Sequence, residues 1–297
     1  ADRSELARRQ QQLQEVYDAA KAQLMQIPGV VGVGIGIKET EGQLTEDVAF
    51  RVYVTEKKDL SELPPEHVIP DEIMGFKTDV LKVYQPKLRV FVEREDDTNF
   101  RPLQGGIRIG AQDVSGHGTL GWFGTLNSDS STVLLTNKHV VYSKTQETPT
   151  ATKRVGQSSY SRVCCCECGE IGQTIVGIKN SDVDCAIARV DSEIAVTLIL
   201  NNDNTPERSS VTGTAAAVVG ETVRKIGMRS SFTTGIVIDI GAVTTTPPTD
   251  PAGTTVSVIP NQILIRPVDA ETYEIENGKK AFSNYGDSGS VIVNEDD

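Results

Sequence analysis

Apolar residues recur at three- and four-residue steps between Asp2 and Gln26, at Leu6, Leu13, Val16, Tyr17, Ala20, Leu24 and Met25, with Gln, Arg and Glu between them. That period predicts an amphipathic helix whose stripe packs within the chain. Ile27-Pro28 ends it, because proline disfavours helical geometry in the residue before it and has no amide to donate. Val30–Lys38 and Val48–Thr55 then read as strands joined by the polar turn Glu39-Thr40-Glu41-Gly42, and Gly75–Val83 reads as another. Residues 1–100 are expected to form a small α/β unit serving docking or regulation, with Glu93–Asn99 as an acidic linker.

Beyond Arg101 short β-branched runs recur between turn residues: Gly118–Leu126, Thr132–Asn137, Gly172–Ile178, Asp184–Val190, Val211–Val219, Glu221–Ile226, Thr234–Ile240, Thr255–Val258, Gln262–Val268 and Ser288–Val293. Many short strands with few helical periods predict an all-β barrel or sandwich over residues 101–297.

The 297 residues suffice for two domains or one large one, and 38% hydrophobic with 24% charged residues excludes a disordered chain or a coiled-coil rod. Lys and Arg number 29 against 41 Asp and Glu, a net charge of −12 that disfavours nucleic acid as a partner. No run approaches the roughly 20 apolar residues that cross a bilayer. Charges at Asp2, Arg3, Glu5, Arg8 and Arg9 lead into no apolar secretion core, so a soluble cytoplasmic protein without a membrane partner is expected.

Four of the five cysteines crowd into Cys164-Cys165-Cys166-Glu167-Cys168, with Cys185 apart; an odd, clustered count predicts reduced thiols rather than a disulfide framework. Cys165 and Cys168 have the spacing of a metal pair, but nothing completes four ligands, so no metal or other cofactor is expected. Gly32, Gly34 and Gly36 imitate a dinucleotide-binding turn, yet Ile37 and Lys38 continue a strand where the phosphate-binding helix should begin.

The candidate chemistry lies elsewhere. Of three histidines, His67, His117 and His139, only His139 stands where an apolar run gives way to a loop, in Leu134-Leu135-Thr136-Asn137-Lys138-His139. His117, in Ser115-Gly116-His117-Gly118, is assigned to a turn. Gly286-Asp287-Ser288-Gly289 is a tight turn whose glycines let the Gly286 and Ser288 amides converge beside the Ser288 hydroxyl, the arrangement a tetrahedral oxyanion needs. Asp182-Val183-Asp184-Cys185-Ala186 supplies an acid, Asp184, able to orient an imidazole. The order His139, Asp184, Ser288 leaves gaps of 45 residues (139 to 184) and 104 residues (184 to 288).

Together the Thr-x-x-His, Asp-x-Ala and Gly-Asp-Ser-Gly segments resemble those of the trypsin-like, chymotrypsin-fold serine peptidases, over about residues 103–297. Gly118-Thr119-Leu120-Gly121 and Thr233-Thr234-Gly235 bring the pattern closest to intracellular bacterial trypsin-like proteins with a small N-terminal α/β domain. The resemblance implies a double β-barrel, His139 as general base and then acid, Asp184 as the carboxylate that fixes its tautomer, Ser288 as nucleophile, and the Gly286 and Ser288 amides as oxyanion donors. It implies a serine endopeptidase acting on a specific protein or peptide substrate, regulated by residues 1–100 or processing itself. The alternative is a non-catalytic interaction module on the same fold. The pocket base would fall near Phe282 and Ser283, where no acid supports a Lys or Arg preference.

Family members carry further strands after the nucleophile, whereas nine residues follow Ser288 here (289–297). The expectation is a peptidase domain lacking its last strands, completed by a bound C-terminal fragment or a second chain. With about a hundred residues ahead of the barrel, a freed N-terminus is not expected to reach Asp287, which should be held by another local group or lie free.

Overall fold

The computed structural model describes residues 3–83, 99–142, 152–163, 166–180, 183–191, 194–200, 206–207, 211, 213–245, 258–268, 274–275, 279–280 and 282–294. The polypeptide divides into two units: Ala1–Leu88 with Ala215–Thr222 and Ile236–Arg266, and Arg89–Thr214 with Val223–Gly235 and Pro267–Asp297. The sequence expectation placed one boundary near residue 100; here two later segments group with the N-terminal residues. Most of the Glu93–Asn99 linker, through residue 98, lies outside the described residues.

In the first unit the helix Arg3–Leu24 buries Leu6, Leu13, Ala20 and Leu24 against Val33, Ile35, Val48, Phe50 and Val52. Met25, placed on the apolar stripe by its spacing, is exposed because the helix has already ended. Val30–Thr40 and Gln43–Val54 pair antiparallel, with Thr40 opposite Gln43, so the hairpin turn is tighter than expected. Glu41 and Gly42 carry it at φ of 52° and 80°, the backbone that a two-residue hairpin demands. Phe76–Lys82 lies parallel to Gln43–Val54, and Ile35 and Gly36 pair with Ile240 and Asp239.

That last pairing explains why residues 236–266 join this unit. Side chains on Gly32, Gly34 and Gly36 would collide with Val243, Asp239 and Ile238 respectively, so the glycine run is an adaptation to close strand contact. Arg51, Asp79, Tyr53 and Asp239 are all buried there; Arg51 Nε stands 3.3 Å from Asp239 Oδ2, and the Tyr53 hydroxyl donates to the same oxygen at 2.5 Å. Among the described residues Asp239 Oδ1 has no hydrogen-bond partner, and burial pushes this carboxyl up to about 8.

In the second unit seven strands follow the order Gly118–Thr119, Arg108–Ala111, Arg154–Val163, Cys166–Lys179, Asp184–Val190, Thr132–Thr136 and Trp122–Thr125. The first and last of these are separated in the chain only by Leu120 and Gly121. The Leu120 amide bonds Ile107 on one edge, and the Gly121 amide bonds Leu135 on the other, at 2.9 Å each. A sheet whose two edges are joined in this way must curl on itself. Leu103, Ile107, Ile109, Leu120, Phe123, Leu134 and Val155 fill its interior. Thr222–Gly227 pairs with Ile292–Asn294, Lys225 opposite Ile292. The mainly β class, the curled sheet and the N-terminal helix match the expected fold.

Three predicted strands need correction. Gly118–Leu126 breaks at Leu120-Gly121, where the chain changes edges. Within Val211–Val219 the described residues form no strand; the Val219 amide donates to Gln10 Oε1 at 2.7 Å and the Val218 amide to Glu221 Oε2 at 3.3 Å, so side chains take the bonds a ladder would use. Ser288–Val293 is turn and loop until Ile292. Residues 255–257 of the predicted Thr255–Val258 strand lie outside the described residues. Among the described residues no helix is long and apolar enough to cross a membrane.

Candidate active site

His139 sits on a single helical turn, Lys138–Val141, that follows the strand Thr132–Thr136 directly. Lys138, Val140 and Val141 are buried, which turns the His139 ring toward solvent with 30% of its side chain exposed. Asn137, the extended residue before the turn, donates from Nδ2 to the Asp184 carbonyl at 2.5 Å. This ties the turn to the start of Asp184–Val190, the neighbouring strand, where Ala186 pairs with Thr136.

The tie brings the imidazole and the acid together. His139 Nδ1 lies 2.7 Å from Asp184 Oδ2, and the His139 amide donates to Oδ1 at 3.3 Å. A carboxylate only accepts, so the neutral ring carries its proton on Nδ1 and keeps a lone pair on Nε2. Lys179, opposite Asp184 across the hairpin, donates to Oδ2 at 2.7 Å. Burial pushes the Asp184 carboxyl up, but the bonds from His139 and Lys179 outweigh it and hold the group well below the usual carboxylate range.

Ser288 belongs to a turn seated on the strand end and loop that precede His139. Its carbonyl accepts from the Thr119 amide at 2.8 Å, and the Gly286 carbonyl accepts from Thr119 Oγ1 at 3.0 Å. Gly118 is packed between Val140, next to His139, and the Ser288 carbonyl. Gly286 and Gly289 have φ of 104° and 97°. A side chain on Gly289 would strike the Thr119 carbonyl and Thr136 Oγ1, so glycine is required there on two counts.

Asp287 points the other way, into the protein. Its Oδ1 accepts the Arg229 and Ser230 amides at 3.0 Å each; its Oδ2 accepts Ser230 Oγ at 2.5 Å, the Asn284 amide at 2.8 Å and Lys225 Nζ at 3.1 Å. The expectation that another local group holds Asp287 is thus met by a buried lysine and its neighbours. Burial alone would raise the Asp287 carboxyl, yet Lys225, Ser230 and Asn284 together lower it. Burial moves the Lys225 amine downward against the pull of Asp287.

Phe282 is buried, its carbonyl accepting from Thr233 Oγ1 at 2.7 Å and its ring 5.5 Å from Lys225 Nζ; Ser283 is exposed. His117 is half-buried and lies 2.9 Å from Arg108 Nη2 through Nδ1. Cys164 and Cys165 lie outside the described residues, as do the side chains of Cys166 and Cys168. Among the described residues no group of three or more His, Cys, Asp or Glu is placed to hold a metal ion.

Lys179, Lys225, Ser230 and Thr119 were not singled out from the sequence. Two left a trace there. Lys225 occupies an inward position of the alternating run Val223, Lys225, Gly227, and Lys179 faces Asp184 over a short hairpin.

No protein-family model and no curated protein matches the chain. The solved structures to which it is similar include three proteases. Nocardiopsis protease (NAPase) is 19% identical, with 64% of this chain and 77% of that one covered and a TM-score of 0.36. Thermobifida fusca Protease A (TFPA) is 15% identical, with 64% and 76% covered and a TM-score of 0.40. A glutamic acid specific serine protease, described as using a histidine triad in substrate binding, is 18% identical, with 63% and 90% covered and a TM-score of 0.38.

Proposed function

We propose that this protein is a serine endopeptidase acting on a protein or peptide substrate, with His139, Asp184 and Ser288 as its triad. The observation that carries the reading is the 2.7 Å bond between His139 Nδ1 and Asp184 Oδ2, made beside the strands on which the Ser288 turn is seated. Asp184 holds the ring proton on Nδ1, which leaves Nε2 as the base. Ser288 Oγ attacks the substrate carbonyl as its proton passes to Nε2. The oxyanion so formed accepts from the Gly286 and Ser288 amides, and His139 returns the proton to the leaving amine. Water, deprotonated by the same nitrogen, then attacks the acyl carbon, and Ser288 Oγ leaves as it takes that proton back from Nε2, which frees the acid and restores the hydroxyl.

A fluorophosphonate probe with peptide mapping tests this. Labelling is expected on Ser288, absent in Ser288→Ala, and slowed by orders of magnitude in His139→Ala. A folded chain that ignores the probe would overturn the reading and leave the interaction module in its place.

A further inference from the structure

The triad reading uses one of the groups bonded to the Asp184 side chain and leaves another unexplained. Asp184 Oδ2 receives two donors at 2.7 Å, His139 Nδ1 and Lys179 Nζ. Its Oδ1 takes the His139 amide at 3.3 Å. Lys179 lies directly opposite Asp184 in the antiparallel register, so the pairing of two strands fixes the contact without a long reach. The carboxylate keeps 24% of its surface and the lysine 53%, so the ion pair is partly shielded on the acid's side only.

Among the described side chains of the elements packed against the His139 turn, Asp184, Cys185 and Arg189 lie on Asp184–Val190, Glu170 and Lys179 on Cys166–Lys179, Arg108 on Arg108–Ala111 with His117 bonded to it, and Lys138 on the turn itself, with Tyr142 next to it; Arg189 pairs with Asp129 and Glu170 with Arg154. Among these, Asp184 bonds the His139 ring, and Lys179 bonds Asp184 from a separate strand.

Two consequences follow from a cation on the oxygen that holds the imidazole. The carboxylate gains a third anchor, which limits its rotation about Cβ–Cγ and so fixes the direction of the Nδ1 bond. The cation also offsets part of the negative charge that would otherwise stabilise a protonated ring. We propose that Lys179 is a positioning residue of this site, anchoring Asp184 and tempering its charge so that His139 keeps Nε2 free of a proton to lower pH. This rests on the triad reading for its catalytic meaning, though not for its physical content.

The test follows the ring C–H resonances of His139 by NMR across pH in the full chain, as wild type, Lys179→Met and Lys179→Arg. Lys179→Met is expected to raise the midpoint of the ring titration by about half a pH unit, the size that a pair with one half-exposed partner supports. Lys179→Arg should stay near wild type, and the difference should shrink at about 1 M salt, where the Debye length falls to about 3 Å. Peptidase turnover should show the same displacement in the acid limb of kcat/KM. A Lys179→Met midpoint within about 0.1 unit of wild type overturns the inference, as does an Arg variant that behaves like Met. The NMR readout needs no turnover: failure of fluorophosphonate to label Ser288 would sink the triad reading alone, while an unmoved midpoint would sink the role of Lys179 alone.

Discussion

Replacing Lys225 by methionine removes the side-chain cation from Asp287 while keeping an unbranched apolar side chain of similar length. Both partners of the pair are buried, at 3% and 0% side-chain exposure, so neither solvent nor salt can take over the lost interaction. Removing one partner of a buried ion pair costs about 3–5 kcal/mol, because the other charge is left without compensation. Here the Arg229, Ser230 and Asn284 amides and the Ser230 hydroxyl remain on the carboxylate, which argues for the lower end, about 3 kcal/mol.

The assay is urea unfolding read from Trp122, the single tryptophan, which lies in the same unit as Lys225 and Asp287. With a slope of about 2 kcal/mol per molar urea, the midpoint should fall by about 1.5 M. The pH dependence has a definite sign. Asp287 is held below its ordinary value in the folded chain, so its contribution is present above the unfolded value and disappears as pH falls through the folded one. The deficit of Lys225→Met should therefore narrow in acid. Asp287→Asn in the same background should be less than additive, with a coupling of at least about 1.5 kcal/mol. Because Asp287 precedes Ser288, fluorophosphonate labelling should fall together with stability. A Lys225→Met chain within about 0.5 kcal/mol of wild type at neutral pH, and fully labelled, would refute the reasoning.

Two further outcomes are expected. Asp239, raised to about 8 in the folded chain, binds a proton there that the unfolded chain has released, so stability should decline as pH rises from about 4 toward 8; urea midpoints measured across that range should flatten in Asp239→Asn, and an unchanged slope would contradict the assignment. Deleting residues 1–88 removes Arg51 and Tyr53 from Asp239 and the strand partner from Ile240, so the amides of residues 236–245 should lose their protection from hydrogen exchange in the truncated chain, whereas protection kept at full-chain levels would mean that these residues do not depend on the N-terminal segment.

What could be read from the sequence follows the range of each signal. The N-terminal helix shows itself because Leu6, Leu13, Ala20 and Leu24 repeat within one element, and the Asp184–Val190 strand because its alternation is local. His139 and Asp184 were findable for a related reason: each sits at the end of an apolar run, where a side chain can leave the sheet and remain anchored by it. Register carries no such mark. A period of two says which residues share a face and nothing about which partner strand lies opposite. Hence the grouping of residues 236–266 with the N-terminal segment rather than with the rest of 101–297, the Gln10 and Glu221 side chains that replace a ladder at Val218 and Val219, and the role of Lys179 all required coordinates.

Lys225 marks the boundary between the two kinds of information. Its strand alternates Val223, Lys225 and Gly227 toward the interior, and a lysine at an inward position is costly unless an anion awaits it. The sequence thus demands a buried acid without naming one. Pairing Lys225 with Ile292 across the strands supplies the name, because the chain that reaches Ile292 has just passed through Asp287 in the tight turn before it. Gly227 completes the argument from the opposite direction: a side chain there would occupy the space of the Asp287 carboxylate, so the strand yields room and charge to the same group. The turn that presents Ser288 is therefore held from behind by residues some sixty positions earlier in the chain, with Asp287 and Lys225 separated by 62 residues.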